Sequence, residues 1–182
     1  MTTDEASKGA SLSVGEARIV GRFKRLAPQR DALVVSLQPF LDDGGKLDRR
    51  AWTEAFDSSD PEAIVSVTAA IGIFESLVNH LMEMLRTASR LVQLEISAGS
   101  RKPSGPALVK AVQTDGGLTA DQADLLIDLY RLRNELQHAS LDVQASEMYD
   151  GLLQLQGSLG RFAASYAAWL KRHGRDLFGG AR

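Results

Sequence analysis

The chain has 182 residues, 44% hydrophobic and 24% charged, enough to bury a core of its own and unlike the composition of a disordered polypeptide. It contains no cysteine, which excludes disulfides, thiolate metal sites, iron–sulfur clusters and thiol nucleophiles together and suits a reducing, cytoplasmic setting. A formal charge of −2 argues against a protein that coats nucleic acid by bulk electrostatics, while leaving room for a local basic patch.

Residues 1–15, MTTDEASKGASLSVG, are small and polar and lack the basic-then-apolar order of a secretory leader; they predict a mobile arm on a protein that is not exported. An N-terminal helical extension, 16–59, is expected next. Its three pieces of helical period are VGEARIVGRFKRL, PQRDALVVSLQPFL and LDRRAWTEAF, the last set off by the turn-rich LDDGGKLD and DSSDP. Arg18, Arg22, Lys24, Arg25 and Arg30 stand against Glu16 alone and are candidate contacts for RNA phosphates, the plainer reading being a solvated helix face. LDDGGKLDRRAW has some flavour of a calcium loop. Aligning Gly45 with the loop glycine, however, puts Phe40 first and Ala51 last, where carboxylates are required, and calcium binding is rejected.

From residue 60 to 174 the apolar period predicts a helical bundle. SSDPEA supplies Asp60 as a cap and Pro61 where a missing N–H costs nothing. Val67, Ile71, Phe74, Val78, Leu81, Leu85, Ala88 and Val92 then form one stripe. A helix of roughly 35 residues would reach about 50 Å, longer than a small bundle is wide. Ile64, Ile73, Leu77, Met82 and Met84 broaden its buried face, so a second copy of the chain is expected to cover it. The most apolar run, Ala63 to Phe74, is stopped by Glu75 and is too short to span a bilayer, so no membrane segment is expected. On the same helix His80 and Glu83 make a poor metal site, and neither metal nor cofactor is expected. Glu75 and Asn79 share a face and are candidates to line a cleft.

PALVKAVQTDGG reads as a short helix from Pro106 to Gly116 and Gly117. In LTADQADLL, Thr119 and Gln122 form a capping box that opens a helix with Leu125, Leu129, Leu132 and Leu136 as its stripe. A final helix, about 143–173, carries Met148, Leu152, Leu155, Leu159, Phe162, Tyr166 and Trp169 on one face, with His173 as a cap and Gly174 as its stop. Residues 175–182 are read as a tail. The fold class is therefore all-α, a bundle with long antiparallel helices.

Within YRLRNELQHAS, residues 130–140, Arg133, Asn134 and His138 interrupt an otherwise core-like helix. At 100° per residue Asn134 and His138 share a face, and Arg133 lies about 140° from His138. A histidine in a last turn also complements the helix dipole, and that reading alone would make it structural. The pattern Arg-Asn-x-x-x-His on a helix ahead of a final long helix resembles the HEPN superfamily (higher eukaryotes and prokaryotes nucleotide-binding), over roughly residues 60–173. The resemblance implies an HEPN-like bundle and a metal-independent endoribonuclease whose site forms across a homodimer, in a toxin–antitoxin or phage-defence setting with an antitoxin or defence protein as partner. His138 would act on the 2′-hydroxyl proton or leaving oxygen, Arg133 would stabilise charge on the scissile phosphate, and Asn134 would orient one of them. Products would carry 2′,3′-cyclic phosphate. Toxins of this family that are silenced by a minimal nucleotidyltransferase often carry tyrosine two residues past the histidine; here that residue is Ser140, so adenylylation there is not implied. Two alternatives stand beside this: a non-catalytic HEPN-like module that binds RNA, nucleotide or protein, and a helical regulator similar to the mannitol-repressor family.

Overall fold

A computed structural model describes residues 12–96, 103–138 and 143–178, with the side chain of His138 excepted. Six α-helices make up the described chain, with no strand among the described residues: α1 Val14–Leu37, α2 Arg49–Phe56, α3 Pro61–Leu91, α4 Gly105–Thr114, α5 Ala120–His138 and α6 Ala145–Arg172. The protein is an all-α bundle.

α1 begins inside the stretch expected to be a mobile arm. Ser13 and Glu16 close a capping box, Glu16 Oε2 accepting from the Ser13 amide at 2.8 Å and Ser13 Oγ from the Glu16 amide at 3.3 Å. The same bond from Ser13 is the main reason the Glu16 carboxyl titrates below its usual range. Residues 1–11 lie outside the described ones. The first two predicted pieces of the extension fuse into α1 through Pro28. Proline removes one helical donor, the one owed to the Lys24 carbonyl, and both residues are exposed where water can replace it. The link from α1 to α2 holds a short 3₁₀ turn, Gln38–Phe40, and a tight loop in which Asp42 Oδ1 accepts from the Gly44 and Lys46 amides. That aspartate is occupied by its own turn.

α3 is the axis of the fold and packs against all five other helices. It is shorter than the expected 35 residues, ending at Leu91, and Asp60 makes no side-chain cap. Its length and composition would be enough to cross a membrane, with mean hydropathy 1.5 over its most apolar window. Toward its start Ile64 and Val65 are exposed; further along Phe74, Leu77, Val78 and Ala88 are fully buried. α1 lies antiparallel on α3, with Gln29 donating to Ser76 Oγ at 3.4 Å near one end and Gly15 against Leu91 at the other.

α5 runs back along α3, and α6 runs parallel to α3. Leu132 and Phe74 both lie over Gly151, where a Cβ would come within 2.6 Å of Leu132 Cδ2, so the glycine gives the Leu132 side chain its present place between α5 and α6. The far end is tied by Tyr166, whose buried hydroxyl donates to the Met84 carbonyl at 3.2 Å. α2 is pinned by Trp52, fully buried, its Nε1 donating to the Ala145 carbonyl at 2.9 Å. The segment read as a tail is held too: Phe178 stacks on Phe23 at 4.1 Å and Arg175 pairs with Glu16 at 3.1 Å.

Two outcomes follow from this packing. Trp52→Ala removes the largest side chain under α2 together with its hydrogen bond, and is expected to cost roughly 3–5 kcal/mol in equilibrium denaturation. His80, 9% exposed, donates from Nε2 to the Arg22 carbonyl at 2.8 Å; burial above all, with Arg22 and Arg25 adding repulsion, holds its pKa below the ordinary 6.5. The folded chain gives up this proton more readily than the unfolded chain does. Its contribution is therefore complete above about pH 6.5 and drains away as the pH falls from there through the depressed folded value. Thermal midpoints measured from pH 7.5 to 5 should fall, and His80→Gln, which keeps the donor without the titration, should flatten that fall.

Candidate functional site

α5 is opened by the predicted capping box: Gln122 Oε1 accepts from the Thr119 amide at 3.0 Å, and Thr119 Oγ1 accepts from the Gln122 amide at 3.3 Å. From there the helix is rotated relative to the expected stripe. Ala123, Leu126, Ile127 and Leu129 are its deepest residues, and Leu125, Leu132 and Leu136 are only partly buried. Arg133 stands seven residues beyond Leu126, two turns on, and so continues the buried line rather than flanking it.

That register explains the state of Arg133. Its Nε is buried and without a partner, and NH1 donates to Asn134 Oδ1 at 2.9 Å. Adjacent residues on a helix diverge, so the long arginine side chain reaches sideways to its neighbour's amide. Among the described residues no carboxylate pairs with Arg133. Half-buried, fixed by Asn134 and paired with no carboxylate among the described residues, the guanidinium keeps donors for an oxyanion. His138 is the last residue of α5; its side chain and Ser140 lie outside what the structure describes.

Glu75 and Asn79 are both half-buried on α3, in the turns around Phe74. No hydrogen bond or ion pair among the described residues joins either to Arg133. The five basic residues of α1 do not form one patch. At 100° per residue Arg18, Arg22 and Arg25 fall within about 60° of one another, with Lys24 and Arg30 on two other sides. Arg22 reaches Glu83 at 3.8 Å and Arg30 pairs with Asp31 at 2.9 Å. His80 and Glu83, weighed as metal ligands, are committed elsewhere, His80 to the Arg22 carbonyl and Glu83 to Arg86 and Arg22.

Sequence reading missed two features. Between α5 and α6 runs a groove of about 320 Å³ whose lining includes Asp128, Glu135, Glu147 and Asp150 with Arg131. Its charge disfavours a phosphate backbone on that side, so an RNA strand reaching Arg133 would have to approach from elsewhere. The second feature is an interlock at the other end of α6: Asp115 accepts from Trp169 Nε1 and pairs with His173 Nε2, both at 2.7 Å. Those bonds, the indole's first, hold the Asp115 carboxyl below its usual range. His173 is thus both the predicted cap and a tie to the turn after α4.

No family model, curated protein or solved structure matches the chain. The residues themselves carry what can be said of the site. If Arg133 served stability, replacing it would weaken the fold. Its buried Nε makes no bond, so Arg133→Met is instead expected to hold or raise the thermal midpoint, read by calorimetry.

Proposed function

We propose that the chain is an HEPN-like, metal-independent endoribonuclease acting as a homodimer, as a toxin or phage-defence effector. One observation carries this reading: a half-buried arginine, oriented by Asn134 and with no carboxylate partner among the described residues, stands five residues ahead of a histidine at the end of the same helix. A permanent planar cation suits a phosphate, and an imidazole that titrates near neutrality suits proton transfer to or from a ribose hydroxyl.

In the proposed reaction His138 takes the proton of a ribose 2′-hydroxyl and the 2′-oxygen attacks the adjacent phosphorus. Arg133 stabilises the extra negative charge on the phosphoryl oxygens. The bond from phosphorus to the 5′-oxygen breaks, that oxygen receives a proton from the second copy's imidazolium, and the upstream fragment ends in a 2′,3′-cyclic phosphate. The offset of about 140° between Arg133 and His138 on one helix is the reason for invoking two copies. Facing helices across a two-fold axis bring each arginine toward the other copy's histidine.

The acid-lined groove beside α5 favours a second reading, a module that binds a basic protein partner and does not cut RNA. The two diverge in a single assay. End-labelled RNA incubated with purified protein and chelator should be cut to cyclic-phosphate ends by wild type, and Arg133→Ala or His138→Ala should lower the rate by about a hundredfold or more. Cutting that survives His138→Ala, or none by the wild type, would sink the ribonuclease reading.

A further inference from the structure

The carboxyl end of α3 carries polar groups that neither packing nor the proposed reaction uses. Ser89 is 3% exposed, and its Oγ makes no hydrogen bond among the described residues. One turn earlier lies Arg86, its side chain 18% exposed, with a buried Nε that also lacks a partner while its NH1 pairs with Glu83. Residues three apart on a helix are neighbours, so the two unsatisfied groups sit side by side. A helical serine usually returns its hydroxyl to the preceding turn, as Ser158 does to the Leu155 carbonyl at 3.1 Å. Ser89 does not.

Both residues line a cavity of about 280 Å³ at the junction of α3 and α4, just below the size range typical of small-molecule sites. Its polar wall is Arg86, Ser89, Arg90 and Gln93; its apolar wall is Leu94, Ile96, Pro103 and Leu108. Among the described residues no acidic one lines it. Gln93 takes a left-handed conformation, φ 55°, with the Leu94 amide returned to the Ser89 carbonyl at 2.9 Å, so the helix stops sharply and its last turn forms the cavity's edge. Arg90 in a last turn would be explained by the helix dipole alone. The dipole does not explain a buried hydroxyl and a buried guanidinium nitrogen left without partners, an arrangement that weakens a fold unless something else uses the two groups.

We propose that this cavity binds a small organic anion, its oxyanion held by Arg86 and Ser89 and its apolar body laid against Leu94, Ile96 and Leu108. Guanidinium plus hydroxyl is a donor set for phosphate or carboxylate, and the apolar part of the lining selects against a bare inorganic ion. The site is separate from Arg133. Leu132 meets α3 near Phe74, and Ser89 lies fifteen residues further along that helix, roughly 22 Å away. Nothing in the proposal depends on the ribonuclease reading.

The test is a titration of the full chain followed by two-dimensional amide NMR, with phenyl phosphate, benzoate, benzyl alcohol and inorganic phosphate as the probes. Phenyl phosphate or benzoate should give saturable shifts at amides of residues 86–94 and at Leu108, whichever binds tighter naming the oxyanion, with inorganic phosphate and the neutral alcohol much weaker. Ser89→Ala should weaken binding by about tenfold, the loss of one hydrogen bond to a charged group. Because this substitution deletes a hydroxyl that has no partner, the thermal midpoint should hold or rise, so a loss of binding cannot be blamed on unfolding. Absence of saturable shifts there, equal binding of benzyl alcohol, or unchanged affinity in Ser89→Ala would each overturn the proposal.

Discussion

The fold is organised by one constraint: a long apolar helix that must be covered along most of its length. α3 touches every other helix, and those helices take their positions from it. Burying its aliphatic and aromatic side chains at about 25 cal/mol per Å² is the main favourable contribution available to a chain with no disulfide. That requirement accounts for the order of the bundle. α1 folds back along one side of α3, α5 and α6 close another through Gly151, and α4 covers the carboxyl end.

Polar groups inside the sheath are satisfied with few exceptions. His80, Trp52, Tyr149 and Tyr166 all donate to backbone carbonyls of other elements, so each buried donor also locks two elements in register. Among the described residues Gln29, Arg86, Ser89 and Arg133 break that rule, Gln29 through its Oε1 alone while its Nε2 reaches Ser76. In an otherwise consistent fold, buried polar groups without partners are where a requirement other than stability is expected.

Much of this was legible in the sequence. The stripes of α3 and α6 were found by stepping three and four residues, because each has a single broad face in the core and periodicity reports that face directly. The Thr119 and Gln122 box, the stop at Gly116 and the cap at His173 were legible for the same local reason. Elsewhere local signals were overruled. Pro28 reads as a break between two helices, yet it and Lys24 are exposed and the apolar residues on either side, Leu26 and Leu33, continue one buried line, so α1 runs through. Asp60 reads as a cap, but its amide is taken by Ser58 Oγ at 3.0 Å and its side chain is left out of the helix start.

The site was half legible. Arg133 and His138 are conspicuous by residue type, but the leucine spacing placed the seam of α5 one step off. Tyr130 and Arg133 extend the line of Ala123 and Leu126, a set that mixes polar with apolar residues and escapes a search for leucines. The Arg133–Asn134 bond could not be read from helical spacing, which holds neighbours 100° apart; it depends on the length of the arginine side chain. The cavity at the end of α3 is drawn from a short span, residues 86–108, but it exists only because the turn at Gln93 ends the helix and α4 packs back on it, and no spacing rule finds that.

The placement of the two tryptophans gives the molecule a built-in optical gauge. Trp52 bonds to the carbonyl of Ala145 at the start of α6, and Trp169 bonds to Asp115 at its end, 24 residues and about 36 Å apart along one rigid helix. Each indole therefore reports on a different end of the bundle. The ring of Trp169 stands edge-on to His173 at 5.9 Å, whereas Trp52 has Phe40 and Phe56 as its ring neighbours, so the two indoles sit in chemically different surroundings. Replacing one indole with phenylalanine leaves the other as an intrinsic probe, Trp52 for the α2 end and Trp169 for the α4 end, without any label.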